Sequence, residues 1–184
     1  MPILARECDC LPATLLTGDT GSDGRQWWLA RTLPRQEKAL ARDLVSRDVP
    51  FYLPCQPRRV RIRQRVVTSQ SPLFPGYVFV RLTEADRLTI YATRRVLQLM
   101  PVADQERCFA DLRQVWRLLD LGRPVERTEA PDPGTLVRVR SGPLAGLVGT
   151  MIRAATGGMF VIRVELMQQG MAVAVEPETL GRLD

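Results

Sequence analysis

The sequence predicts two unlike domains in one chain. The first is an α+β domain built on an antiparallel sheet with helices on one face; the second is small and all-β. Three observations carry this reading. Across residues 27–121, short runs of strand-forming residues alternate with amphipathic helical stretches. Residues 122–133, GRPVERTEAPDP, hold three prolines and mixed charge with no apolar period, as linkers do. After Pro133 the chain becomes valine-rich and is punctuated by glycines, the texture of short strands divided by turns.

Residues 1–26 mix Gly, Asp, Thr, Ser and Pro without period, and a flexible leader is expected there. WWLART (27–32) reads as a strand that stops at Leu33-Pro34. RQEKALARDLVSRD (35–48) reads as a helix, with Pro34 suited to its first turn and Leu40, Leu44 and Val45 sharing one face. FYLP (51–54) is a second short strand. RRVRIRQRVVT (58–68) alternates charged and branched residues like a hairpin arm. That period puts Arg59, Arg61, Arg63 and Arg65 on one side, with Val60, Ile62 and Val66 near the other.

GYVFVRL (76–82) is the next strand. Strand alternation sends Tyr77, Phe79 and Arg81 to one face and Val78, Val80 and Leu82 to the other. Thr83, three residues before Asp86, suits the cap of a short helix. VLQLMPV (96–102) is a fourth strand. DQERCFADLRQVWRLLDLG (104–122) is an amphipathic helix, with Phe109, Leu112, Trp116 and Leu119 as its expected apolar face and Gly122 as its stop. Strand, helix, strand, strand, helix, strand is the split βαβ, ferredoxin-like order, here with a basic hairpin and an extra C-terminal helix. In the second domain, Gly142, Gly146 and Gly149 separate short strands. Four or five strands in residues 134–184 make a small antiparallel barrel.

Composition excludes several classes. There is no histidine, and the four cysteines (Cys8, Cys10, Cys55, Cys108) include only a lone C-x-C, so neither a mixed zinc site nor a disulfide framework is expected. No apolar run approaches the ~20 residues of a membrane-spanning helix, and no signal peptide is legible, so the expected location is the cytoplasm. Nucleophile motifs, phosphate-binding loops and spaced carboxylate pairs are missing, so no enzyme, metal or cofactor is expected. The formal net charge is +6, yet residues 27–130 hold +8, because residues 1–26 carry −2 and residues 131–184 are neutral. Basicity concentrated in the middle of a chain favours an anionic partner, most often nucleic acid.

Phe74, Tyr77 and Phe79 admit two readings. They are either ordinary sheet core or a docking surface. Val78, Val80 and Leu82 already supply one apolar face for the helices. Tyr77 and Phe79 would then lie on the side the helices leave open, with Arg81 at the rim, where an aromatic patch marks a partner site. The arginine hairpin is likewise either a solvated edge that discourages aggregation or a phosphate-contacting arm.

The stretches WWLARTxPRQEK, PLFPGYVFV, ATRRV and GxxVRVxxGPxxGxxG together resemble the NusG family of transcription elongation and antitermination factors, in particular its specialised paralogues of the RfaH type. The resemblance spans residues 27–184. It implies a NusG N-terminal-like domain (27–121), a linker (122–133) and a KOW domain with an SH3-like barrel (134–184). It also implies a non-enzymatic monomer that binds the clamp helices of RNA polymerase through Leu73, Phe74, Pro75, Tyr77 and Phe79, with Arg31 placing a charge at one wall of that pocket. The same factor lies beside the non-template DNA strand and suppresses pausing or termination. Arg35, Lys38, Arg59, Arg61, Arg63, Arg65, Arg94 and Arg95 would face nucleic acid. Through the KOW domain, Rho or a small-subunit ribosomal protein is the implied further partner. The strand-favouring valines of MFVIRVELM and MAVAVE, with Gly157-Gly158 and Gly170, favour a barrel as the resting state. The alternative is a ribosome-associated RNA-binding KOW protein, which would need basic charge on the barrel.

Overall fold

A computed structural model of the chain describes residues 8–18, 23–62, 65–122, 125–129, 136–141, 145–154, 157–164, 169–174 and 180–182. The chain divides into two compact units, residues 1–105 and 106–184. The expected boundary at 121–122 and this division fall on opposite ends of the helix between them.

The elements of the first unit are β1 (Cys10–Leu11), β2 (Gln26–Thr32), α1 (Glu37–Ser46), β3 (Phe51–Tyr52), β4 (Cys55–Ile62), β5 (Arg65–Pro72), β6 (Tyr77–Leu82), α2 (Asp86–Ala92) and β7 (Val96–Pro101). Five strands form a sheet in the order β1-β3-β6-β2-β7, and every neighbouring pair is antiparallel. Strand β6 is inserted between β2 and β3, and β2 between β6 and β7. Both βαβ units are therefore split, as the element order predicts.

The helix-covered face holds the core. Trp28 and Ala30 of β2, Phe51 of β3, Val78, Val80 and Leu82 of β6 and Leu99 of β7 pack with Leu40, Ala41 and Leu44 of α1 and Ile90 of α2. Burying each of the two α1 leucines contributes about 1.5–3 kcal/mol. Val45, expected beside them, is exposed; Glu37 and Ala41 complete the buried stripe instead. The spacing Glu37, Leu40, Ala41, Leu44 follows the helical period more closely. Thr83, expected as the cap of α2, is not it: the N-cap position is Ala85 and no side chain caps the helix, while the Thr83 N–H and hydroxyl both donate to Asp86 Oδ2 at 2.9 and 2.8 Å.

Part of the expected leader is built into this sheet. Cys10 pairs with Tyr52 and Leu11 with Phe51, the Leu53 N–H donates to the Asp9 carbonyl at 2.7 Å, and Leu15 and Leu16 are buried. Composition pointed to flexibility, but LPATLL carries leucines that only packing can satisfy. Residues 1–7 and 19–22 lie outside the described residues.

Strands β4 and β5 form a separate two-stranded hairpin whose register sets Arg59 opposite Thr68, Arg61 opposite Val66 and Ile62 opposite Arg65. Residues 63–64 lie outside the described residues, as do the side chains of Arg61 and Arg65.

The second unit takes all but the first residue of α3 (Gln105–Asp120), followed by β8 (Glu126–Glu129), β9 (Leu136–Val139), β10 (Val148–Ala154), β11 (Gly157–Val164), β12 (Gln169–Ala174) and β13 (Leu180–Arg182). Six antiparallel strands are ordered β13-β9-β10-β11-β12-β8. Strand β8 comes from the expected linker and pairs with β12. Helix α3 buries Cys108, Asp111, Leu112, Val115 and Leu118. Its buried stripe is thus turned by about one residue from the expected Phe109, Leu112, Trp116, Leu119 face, and those flanking side chains are half-buried. Both stripes share Leu112, and the helix carries enough apolar residues to fit either. Polar groups of α3 also satisfy the turn before β10: Arg117 Nη2 donates to the Ala145 carbonyl at 2.7 Å, and the Val148 N–H donates to Gln114 Oε1 at 2.8 Å. The turn expected at Gly142-Pro143 lies outside the described residues.

Candidate functional site

The F-P-G-Y corner is fixed from two sides. Gly76 adopts φ of 84°, a left-handed conformation that favours glycine. Its N–H donates to Glu37 Oε1 at 2.6 Å, and its carbonyl accepts from the Thr32 N–H at 2.8 Å. The Tyr77 N–H closes the turn on the Phe74 carbonyl at 3.2 Å, and the Leu73 N–H is held by the Pro54 carbonyl at 2.7 Å. A buried carboxylate from the first turn of α1 therefore sets the corner's shape.

Register defines the sheet face opposite the helices. Tyr52, Phe79, Leu29 and Met100 form one row across four strands; Tyr77, Arg31 and Gln98 form the next. The expectation that this whole face is open is corrected. Phe79 is 0% exposed, Phe74 and Leu73 1%, and the Phe74 and Phe79 rings meet edge to face at 5.8 Å, a contact worth about 0.5–1.5 kcal/mol beyond its area. Arg81, expected at a wet rim, is buried and bridged to Asp23 at 2.9 Å. The physical reason is that strand alternation reports which residues share a face and not what covers it; here the segment before β2 brings Asp23 onto Arg81. In the Phe79 row Met100 is half-buried, and the Tyr77 row is more open. Tyr77 is half-buried, Arg31, Gln98 and Pro75 are exposed, and Leu33, next in the chain after β2, is 37% exposed.

Two further turns meet this end of the sheet. In Leu33-Pro34-Arg35-Gln36 the Gln36 N–H bonds the Leu33 carbonyl at 3.1 Å, with Arg35 at φ of 60°. Proline followed by a left-handed residue is the signature of a type II turn, which selects glycine at the third place. At the end of α2 the Arg94 N–H bonds the Tyr91 carbonyl at 3.0 Å, with Arg94 at φ of 56°, again where helices end on glycine. Such conformations cost a non-glycine residue of order 1–3 kcal/mol. The Leu33 N–H donates to the Arg95 carbonyl at 2.8 Å, joining the two turns.

The arginines sort into two groups. Arg81 is bridged to Asp23, Arg87 to Glu84, Arg95 to Asp43 and Arg107 to Asp111. Arg87 also lies over the Trp28 ring at 5.0 Å. Arg95 is the most heavily used of these: Nε donates to Asp43 Oδ2 at 2.5 Å and Nη1 to Gln36 Oε1 at 2.5 Å. Its expected role as an outward-facing charge gives way to holding α1 against the end of α2. Arg35, Arg59 and Arg94 are exposed and Lys38 is half-buried. No acidic side chain pairs with Arg35 or Arg94 among the described residues.

Sequence reasoning missed Glu37 and Asp43. A carboxylate among bases on α1 was the one available cue. Among the described residues no group of three or more His, Cys, Asp or Glu side chains could hold a metal ion, and no helix is long and apolar enough to cross a membrane. The Cys10 thiol is pushed up to about 12 by burial, with the charges of Asp9 and Cys8 adding to it.

An antiparallel split βαβ sheet is followed in the chain by a second, small β unit, and a glycine corner in the first presents Tyr77. The family model described as transcription termination factor nusG matches residues 25–116, half of the 184 residues; the chain belongs to the NusG family. Among solved structures it is similar to Thermotoga maritima NusG, from work on domain interaction in that protein, at a TM-score of 0.51 and 18% identity, covering 89% of this chain and 100% of that one. That similarity shows the fold. A second match is the MjSpt4:Spt5 complex in conformation B, at a TM-score of 0.27 and 17% identity, covering 86% of this chain and 97% of that one. None of the curated proteins matches.

Proposed function

We propose that this protein is a transcription elongation factor of the antiterminating, RfaH-like kind. It docks on the clamp helices of RNA polymerase in the cytoplasm and lies along the non-template strand, suppressing pausing or termination. Family membership over residues 25–116 carries this reading, and the corner held by Glu37 and Thr32, with a half-exposed Tyr77 at its tip, is consistent with it. Docking centres on Pro75, Tyr77 and Arg31. Leu73, Phe74 and Phe79 support the corner from beneath. The six-stranded unit is the KOW barrel, and Rho or a small-subunit ribosomal protein is its partner.

The test is capture of core RNA polymerase by the full chain and by Tyr77→Ala. Retention by the parent and at least tenfold weaker retention by the variant, with unchanged melting temperature, is expected. Equal retention by both would remove Tyr77 from the docking surface. No retention by either would end the polymerase reading.

A further inference from the structure

The chain entering β1 carries a thiol on each side of Asp9. Cys8 is exposed, and its Sγ donates to the Cys10 carbonyl at 3.2 Å, so the side chain lies along the backbone towards its neighbour two places on. Cys10 is half-buried, with its own Sγ on the Pro12 carbonyl at 3.5 Å. Burial keeps the Cys10 thiol protonated, while Cys8 meets water.

One residue separates these thiols. Extended chain rises about 3.3 Å per residue, which sets α-carbons two places apart at about 6.6 Å. That is the upper end of the roughly 4.4–6.8 Å that a disulfide spans. A bond between Cys8 and Cys10 would therefore draw the chain in at Asp9.

The Asp9 carbonyl is the group that accepts from the Leu53 N–H at 2.7 Å, beside the two residue pairs that join β1 to β3. The next carbonyl after Leu53, that of Pro54, accepts from the Leu73 N–H at 2.7 Å. Leu73 opens the corner that presents Tyr77. Asp9, Leu53-Pro54 and Leu73 thus form a relay of backbone groups from the C-x-C to that corner. Strand β1 is two residues long and at the sheet's edge, where local opening is far easier than global unfolding.

We propose that Cys8 and Cys10 are an oxidation site for peroxide, and that their disulfide releases β1 from β3 and loosens the corner at Leu73. The Cys8 sulfur attacks the peroxide O–O bond; an S–O bond forms, and the leaving hydroxide takes up the Cys8 proton as water. Once β1 lifts and Cys10 leaves its burial, the Cys10 sulfur attacks the sulfur of the Cys8 sulfenic acid. The S–S bond forms as S–O breaks, and the departing hydroxide takes the Cys10 proton as a second water. Two thiols lose two electrons and one peroxide gains them. In the paired strand a protonated Cys10 resolves poorly, which makes strand release a part of the reaction.

The experiment treats the reduced full chain with hydrogen peroxide and then alkylates the remaining thiols. Mass spectrometry reads the peptide holding Cys8 and Cys10, and hydrogen exchange reads the backbone. The expected product is that peptide, unalkylated and two hydrogens lighter, restored by dithiothreitol. Exchange at Leu53 and Leu73 should quicken about fivefold or more, as for the loss of one hydrogen bond. Cys8→Ser, at an exposed site, should show neither change. Cys10→Ser should stop at the Cys8 sulfenic acid, trapped by dimedone, with Leu53 exchange unchanged. Neither readout uses polymerase, so this site and the docking reading fail separately.

Cys8 driven to sulfinic or sulfonic acid, with Cys10 still open to alkylation, overturns the pair. A bond from Cys8 to Cys55, or between two molecules, assigns the thiol elsewhere and overturns it as well. A Cys8-to-Cys10 bond with unchanged exchange at Leu53 overturns the release of β1. Quickening at Leu53 without any at Leu73 overturns the link to the corner.

Discussion

Glu37 and Gly76 lie 39 positions apart and are joined by a 2.6 Å hydrogen bond in which the glycine N–H donates to the carboxylate. The first turn of α1 is thereby coupled to the corner that presents Tyr77. Glu37→Ala should cost about 2 kcal/mol, the range for a hydrogen bond to a charged group with its donor left unmatched. Glu37→Gln keeps an acceptor and should cost less. Chemical denaturation checks the energies. Hydrogen exchange at Gly76 checks the cause and should quicken in the alanine variant.

Tyr77 and Phe79 share a face but differ in role. Phe79→Ala should destabilise the protein by about 3–5 kcal/mol, as for a fully buried aromatic ring. Tyr77→Ala should cost under about 1 kcal/mol and lose polymerase retention instead. Melts and polymerase capture on the two variants side by side separate these outcomes; equal stability losses would show that Tyr77 is also core.

That contrast marks how far the sequence could be read. The split order of β2, β3, β6 and β7 follows from the succession of strands and helices in the sequence, and Val78, Val80 and Leu82 form the helix-covered face as expected. What alternation cannot encode is the cover on the second face. Phe79 therefore read as open, while Asp23 on Arg81 is a contact over 58 positions. The α3 stripe failed for a related reason: Leu112 belongs to two possible helical stripes. Arg35 and Arg94 were legible as charges, whereas their left-handed backbones were not.

Removing residues 1–18 should lower stability by about 3 kcal/mol or more, from two buried leucines at about 1.5–3 kcal/mol each. Asp23→Ala should cost about 1 kcal/mol at most, because the aspartate is 42% exposed and water screens the pair. Melting curves at low and high salt distinguish the two, since only the second effect should fade with salt.

Cys10, with its thiol raised to about 12, should stay protonated and resist iodoacetamide at pH 8, where exposed Cys8 reacts first. The sign for stability follows. The unfolded thiol ionises near its ordinary value of 9.0 and the folded one does not. The protein should therefore lose stability between pH 9 and 12, and Cys10→Ser should lessen that alkaline loss. Mass spectrometry after timed alkylation and melts across that pH range check both.

The strand formed by Cys10 and Leu11 has a practical corollary for anyone trimming this protein to its recognisable homology region. Cutting at residue 25 would strip the outermost ribbon from Phe51 and Tyr52, leaving their backbone groups bare along a hydrophobic margin. Such margins recruit other chains. A shortened preparation that clumps or dimerises would thus report a lost selvedge, and not an intrinsic habit of the intact molecule.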